Sequence, residues 1–329
     1  MKPLTFILYG IWVFYFAGEY IFWFFAAKID LMKTIPQYLS EIKKGDYLSL
    51  ARMLTLTEND LSGSAELLQT MEINPDIPVI GVTGPPGAGK STLVSSMIHI
   101  LSQQQKKIAV LAVDPTSAFN LGSLLGDRVR MSAHFNNPQV FIRSVAARGS
   151  VGGLSGKIIE MTDVLRAANF DYIIVETVGV GQSEIEIAGL ADITMIVLVP
   201  EAGDEIQHIK SGLMEIGDAF VVNKADRDGA GSFASKLKKM LHQRINAVPV
   251  FETVADQQQG IQEIVEWLQS AAPQRNDKKI FLYAEKAYKL IQNERMQQVS
   301  RIDLQQQIAK NYHQPGFNLY QFIKQYQQD

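Results

Sequence analysis

Lys90 and Ser91 close the run Gly84-Pro85-Pro86-Gly87-Ala88-Gly89-Lys90-Ser91, in which two glycines, a lysine and a hydroxyl stand at the offsets of a phosphate-binding loop. Phosphate oxygens must meet backbone N–H groups at close range, and side chains on Cβ would obstruct that approach, so glycine is used. The Lys90 ammonium suits the β- and γ-phosphates, and the Ser91 hydroxyl suits a magnesium ligand, with Thr92 next in the same turn. The flanking residues must hold this loop still. The apolar run Ile77-Pro78-Val79-Ile80-Gly81-Val82-Thr83 predicts a buried strand leading in. Ser91 to Ile98 predicts a helix leading out, whose N-terminus adds partial positive charge toward the phosphates. These residues predict binding of a nucleoside triphosphate.

The base is addressed by a second motif. Asn223-Lys224-Ala225-Asp226 follows the apolar run Ala219-Phe220-Val221-Val222, at a strand's carboxyl end, where open α/β sheets hold ligands. A carboxylate at Asp226 accepts hydrogen bonds, and guanine offers N1–H and its exocyclic amine together. Adenine lacks that pair of donors and would leave a buried carboxylate unpaired. Asn223 can serve the guanine O6 and the loop backbone, while the Lys224 stem covers the ring face. The later stretch Thr253-Val254-Ala255 is expected beside the base, followed by a solvated glutamine run. GTP and GDP are therefore the expected nucleotides.

Between these motifs lie acids that could serve a metal and the attacking water. Asp114 closes the apolar run Ile108–Val113, Asp127 sits in Gly126-Asp127-Arg128-Val129-Arg130, and Glu176 closes Tyr172–Val175. Mg²⁺ takes oxygen ligands in octahedral geometry and usually keeps waters. Ser91 with two or three of Asp114, Asp127 and Glu176 would satisfy it. Gly179 can give an N–H to the γ-phosphate. No side chain is an obvious strong base, and Arg128, Arg143, Arg148 and Lys210 are candidate charges in cis, each also readable as a structural or interface residue.

Short apolar runs ending in such loops alternate with helical patterns from about 77 to 272, which predicts an α/β fold: a P-loop nucleoside-triphosphatase with a mostly parallel, doubly wound sheet. Four regions result: a hydrophobic segment 1–31, a helical region 32–74, a nucleotide-binding domain 75–272 and a helical extension 273–329. Tyr38-Leu39, Ile42, Tyr47-Leu48, Leu50 and Met53-Leu54 recur at helical spacing in the second. In the last, Ile280, Ala284, Ala287 and Ile291 form one apolar helix face, which either packs on its own domain or meets a second copy.

The succession GPPGAGKST, DPTS, LGSLLGDRVRM, RGSVGGLS, ETVGVGQSE, GDEIQHIKSGLMEIGD and NKAD resembles the MeaB/ArgK family, GTPases that chaperone methylmalonyl-CoA mutase. The likeness spans roughly residues 35 to 329. ETVGVGQSE and RGSVGGLS discriminate best, because general GTPases lack both, and Glu176 stands where those enzymes usually carry aspartate. The resemblance implies a homodimeric, Mg²⁺-dependent GTPase, slow by itself, that serves an adenosylcobalamin-dependent acyl-CoA mutase by gating cofactor loading and protecting the enzyme. It also implies a third responsive segment, from Gly203-Asp204-Glu205 to Lys210-Ser211-Gly212. One departure is Ala118-Phe119-Asn120-Leu121-Gly122, where the family usually has a proline and two glycines. It touches no phosphate or metal ligand.

Two other classes share this nucleotide fold. One is a metallocentre-assembly GTPase of the hydrogenase or urease accessory type, which would need cysteine or clustered histidine ligands. The chain has no cysteine, and its five histidines are scattered in sequence. The other is a transport-linked regulatory nucleotide-binding protein. The absence of cysteine also excludes disulfides and a thiol nucleophile, and fits a reducing cytoplasm. A net charge of −3 gives no basic face for nucleic acid. Leu4 to Ala27 is apolar and aromatic with Glu19 as its only charge, long enough to span a bilayer. It reads either as an anchor, with Lys28, Lys33, Lys43 and Lys44 keeping the rest cytoplasmic, or as residues ahead of a true start at Met32.

Overall fold

The computed structural model describes residues 33–114, 131–146, 157–177, 179, 183–203, 213–242, 248–271, 277–295, 299–312, 314 and 317–326, apart from a few side chains within them. It also gives the backbone of three short strands, β1 (Thr5–Leu8), β2 (Ile11–Phe16) and β3 (Glu19–Trp23), in an antiparallel meander. Among the described residues no helix is long and apolar enough to cross a membrane.

The central element is a sheet of seven strands, all parallel: β4 (Val79–Thr83), β5 (Ile108–Asp114), β6 (Val140–Ala146), β7 (Tyr172–Glu176), β8 (Ile193–Leu198), β9 (Ala219–Asn223) and β10 (Val250–Thr253). Their order is β10-β9-β8-β4-β7-β5-β6. The chain winds outward to β5 and β6, returns to β7, and crosses β4 to reach β8. That reversal places the ligand crevice at the carboxyl end of β4, where the phosphate loop begins.

Burial on both faces explains why the inner strands are nearly continuous apolar runs. Met195 and Val197 of β8 pack with Leu93, Val94, Met97 and Leu101 of the helix Lys90–Gln103, and with Ile261, Ile264 and Leu268 of the helix Ile261–Ser270. Ile196 and Leu198, pointing the other way, pack with Phe220 and Val222 and with Phe233, Ala234 and Leu237 of the helix Ala230–Leu241. The fold class expected from the alternation of runs and helices is the one observed.

The helical region ahead of the sheet consists of Ile35–Lys43, Tyr47–Glu58 and Ser64–Thr70. The Asp46 carboxylate accepts from the Ser49 N–H at 3.1 Å and caps the second helix. Tyr38, Ile42, Leu50, Met53 and Leu54 are buried as their spacing predicts, whereas Leu48 lies in solvent. Tyr47 stacks on Phe170 and meets Phe141 of β6, so this region shields the sheet's edge strand.

A largely buried ion pair knits the opposite end of the sheet. Arg166 donates through Nη2 to Asp192 Oδ2 and through Nε to the Ile77 carbonyl, while Asp192 Oδ2 also accepts from the Val79 N–H. The helix Ile158–Arg166 and the starts of β4 and β8 thus share one largely buried charge pair. Replacing Arg166 with alanine takes the guanidinium away from the largely buried Asp192 carboxylate, and a loss of up to about 3 kcal/mol of stability is expected in urea unfolding. A loss under about 1 kcal/mol would show that water reaches the pair.

A C-terminal unit from Arg275 onward clusters separately from the residues up to Gln274. It contains the helices Asp277–Arg295, Arg301–Asn311 and Leu319–Phe322. Ile280, Ala284, Ala287 and Ile291 are exposed on the first of these.

Candidate nucleotide-binding site

The loop from Gly84 to Gly89 leaves β4 and turns into the helix that starts at Lys90. Gly84 has φ +138°, and a Cβ there would lie 2.0 Å from the Val197 carbonyl oxygen, so only glycine lets the loop pass β8. Pro86 and Gly87 are exposed, Pro85 and Gly89 half-buried, and Ala88 buried. Lys90 is buried, and its Nζ donates to the carbonyls of Gly84 and Pro85 at 2.9 and 3.1 Å. The ammonium therefore lies within the loop's own curve, where phosphates would sit. Thr92 is half-buried on the first helical turn.

Ser91 and Glu176, 85 residues apart, meet: Ser91 Oγ donates to Glu176 Oε1 at 2.6 Å, with both residues buried. A hydroxyl and a carboxylate held together beside a phosphate loop form a hard-oxygen donor set of the kind Mg²⁺ takes. Gly179 stands against the same loop, and a Cβ on it would lie 2.2 Å from the Gly84 carbonyl oxygen and 2.6 Å from Lys90 Nζ. Its φ of +83° also favours glycine. The residues present fit a magnesium–triphosphate pair. The backbone of Asp114 closes β5 at the same edge of the sheet. Its side chain and all of Asp127 lie outside the described residues, as do Arg128, Arg148, Lys210 and the segment 204–212.

At the other end of the site Asn223 does more than its motif suggests. It is buried; its Nδ2 donates to the Ala88 carbonyl at 2.9 Å, and its Oδ1 accepts from Thr253 Oγ1 and the Ala255 N–H at 3.1 and 3.2 Å. This amide fastens the phosphate loop to the Thr253-Val254-Ala255 stretch, all of which is buried. Ser96, on the helix after the phosphate loop, donates to the Ala255 carbonyl at 2.6 Å and completes the clasp. Lys224 Nζ donates to the Gly87 carbonyl at 2.8 Å, which lays its stem across the gap between the two motifs.

One expectation needs correction, and for Arg143 the structural reading is the one observed. Asp226 is exposed, not buried, because it lies on the open turn after β9. Its desolvation would have to come from the base itself. Arg143 is not available as a charge in cis: it pairs with Glu58 at 2.6 Å and donates to Thr55 Oγ1 at 3.1 Å, holding the helix Tyr47–Glu58 onto β6. Gln257, Gln258 and Gln259 are exposed, as expected of a solvated run.

One histidine adjoins the site. His134 is buried with Nε2 3.0 Å from the Ser95 carbonyl oxygen and 2.9 Å from Ser95 Oγ. The carbonyl can only accept, so the neutral ring carries its proton on Nε2. Burial pushes its pKa below the ordinary 6.5, His99 adds to that, and the Ser95 carbonyl opposes it. Between these two pKa values the unfolded chain binds a proton that the folded one refuses. The contribution is therefore present in full above about pH 6.5 and is lost as pH falls toward the folded value, at up to about 1.4 kcal/mol per pH unit. Urea midpoints of the wild type should fall more steeply from pH 7.5 to 5 than those of His134→Gln. Parallel curves would contradict this.

A strand–loop–helix cradle with an Asn-Lys-Ala-Asp turn clasped to it, on a parallel sheet wound both ways from β4, defines a P-loop GTPase. More narrowly, the profile described as methylmalonyl Co-A mutase-associated GTPase MeaB matches residues 50–310, and the chain belongs to that family. A protein of Pyrococcus horikoshii, whose name assigns it provisionally to the GTPases, is 44% identical over 243 residues, covering 71% of this chain and 77% of its own. The GTPase ArgK of Escherichia coli is 39% identical over 201 residues, 59% of this chain and 60% of that one. A fused isobutyryl-CoA mutase of Geobacillus kaustophilus is 33% identical over 242 residues, which are 68% of this chain and 22% of that protein. Among solved structures, a LAO/AO transport system kinase superposes with a TM-score of 0.63 and 26% identity, covering 89% of this chain and 96% of its own.

Proposed function

We propose that this protein binds and slowly hydrolyses GTP, and that it couples this cycle to an adenosylcobalamin-dependent acyl-CoA mutase, gating cofactor loading and protecting the enzyme. The observation that carries the hydrolytic half is the Ser91–Glu176 contact against the Lys90 loop. In this reading the Lys90 ammonium and the loop N–H groups bind the β- and γ-phosphates, and the Gly179 N–H adds a donor for the γ-phosphate. Ser91 and Glu176, with Asp114 and Asp127 as further acids, would hold Mg²⁺, which supplies neutralisation of phosphate charge. Asp226 accepts from guanine, Asn223 keeps the base-side and phosphate-side loops in register, and the Lys224 stem and the Thr253-Val254-Ala255 stretch border the base. No described side chain in this arrangement is a strong base for the attacking water, which accounts for slow turnover without a partner.

The mutase half is supported by the family match and by the Geobacillus relative, in which a stretch like this chain is part of a polypeptide named as a mutase. The Gly203–Gly212 segment is proposed to respond to that partner. A second copy of the chain is proposed to cover Ile280, Ala284, Ala287 and Ile291, giving a homodimer. Capture on the tagged protein loaded with a non-hydrolysable GTP analogue, followed by mass spectrometry, should recover an adenosylcobalamin-dependent mutase. Recovery of a nickel enzyme or a permease instead would overturn the assignment.

A further inference from the structure

Thr83 and Thr177 form a buried pair that the sequence motifs do not mention. Thr177 Oγ1 donates to Thr83 Oγ1 at 2.9 Å, and the two residues are 2% and 0% exposed. Thr83 is the last residue of β4, directly before Gly84. Thr177 directly follows Glu176, the last residue of β7, and precedes Gly179 by two. The β4–β7 ladder ends at Val82 and Glu176, with one further bond from the Thr177 N–H to the Val82 carbonyl at 3.0 Å. The threonine hydroxyls thus join the two chains at the point where both leave the sheet.

What lies on either side of that point gives the bond its consequence. One residue upstream, Glu176 Oε1 accepts from Ser91 Oγ. Two residues downstream, Gly179 is so close to the Gly84 carbonyl and to Lys90 Nζ that no Cβ would fit. A swing of a few tenths of an ångström about Thr177 would move both groups relative to the phosphate loop. Displacements of that size matter most for groups that act only on a reacting phosphate.

We propose that the Thr83–Thr177 hydroxyl pair is a positioning device for hydrolysis: it fixes the Glu176 carboxylate and the Gly179 N–H against the phosphate loop. This rests on the GTPase reading above, and wild-type GTP turnover is therefore measured first. If the wild type does not turn over GTP, that reading fails before the pair is tested. Valine replaces threonine with nearly the same shape and no hydroxyl, so Thr177→Val deletes the bond without opening a cavity. Its kcat is expected to fall about tenfold. The KM for GTP and the Kd for GDP, both dominated by the loop and the base turn, are expected to stay within about twofold. Thr177→Ser keeps the donor and should retain kcat within about threefold of wild type.

The double variant Thr83→Val with Thr177→Val separates positioning from mere satisfaction of a buried hydroxyl. With both hydroxyls gone none is stranded, and melting temperature should return close to wild type. Positioning predicts that kcat stays about tenfold low in this restored fold. Should Thr177→Val fail to fold, the double variant carries the test alone. A wild-type kcat in the double variant, or in a folded Thr177→Val protein, would overturn the proposal. So would a loss of GDP affinity as large as the loss of kcat.

Discussion

Replacing Lys90 with alanine is expected to lower GTP turnover by at least about 10²-fold, the size of effect that follows loss of one preorganised donor from a site of developing charge. The argument is geometric. Nζ is buried and held by the carbonyls of Gly84 and Pro85, so its charge sits inside the loop, not out in solvent. Alanine removes the charge and also leaves those two carbonyls without their donor. Lys90→Met separates the two consequences of stem and charge, because it keeps an unbranched apolar stem of similar length. Both variants should lose turnover alike, with melting temperatures within a few degrees of wild type. A Lys90→Met protein that hydrolyses GTP at the wild-type rate would remove the residue from the mechanism.

The second large effect is on the base. Asp226 is exposed and has no hydrogen-bond or ion-pair partner among the described residues, which leaves its acceptor capacity open toward them. Two hydrogen bonds from guanine N1–H and the exocyclic amine to a carboxylate are worth together about 3 kcal/mol, or roughly 10²-fold in affinity. Asp226→Ala should therefore weaken GDP binding about a hundredfold while leaving ADP binding as weak as before. Because Asp226 starts in solvent, a preference for GDP over ADP would arise from pairs formed on binding more than from a carboxylate already desolvated. Calorimetric titration with GDP and ADP reads both numbers. Equal losses for the two nucleotides would mean that the turn shapes the pocket without reading the base.

The neighbouring ion pair shows how that turn is steadied. Arg227 Nη1 donates to Glu201 Oε1, and the guanidinium holds the Glu201 carboxyl below its ordinary range. Glu201 lies just past β8, so the turn carrying Asp226 is tied to the adjacent strand end. Both partners are about half exposed, and the pair contributes little to stability by itself.

Much of this site was legible because its chemistry is written in contiguous residues. The phosphate loop needs glycines, a lysine and a serine at fixed offsets, and the Asn-Lys-Ala-Asp turn follows a recognisable apolar run. The α/β architecture was legible for a related reason: strands buried on both faces read as apolar runs such as Ala219–Val222. What escaped the sequence is pairing across long separations. Ser96 and Ala255 stand 159 residues apart, Thr83 and Thr177 94, and Arg143 and Glu58 85. Nothing local marks a serine on a helix, or a threonine at a strand end, as the partner of a residue on another element. A threonine beside each of two functional motifs, Thr83 before Gly84 and Thr177 after Glu176, was the one available hint. Arg143 was open to a structural reading from the start, and only its partners Glu58 and Thr55 were out of view, whereas Asp226 looked buried because strand ends usually are.

The most direct test of the account is GTP turnover by the full chain with Mg²⁺, with and without a saturating adenosylcobalamin-dependent acyl-CoA mutase. Slow hydrolysis alone, rising about tenfold or more with the mutase, is the predicted result. An identical rate in the two conditions, or no turnover in either, would contradict it.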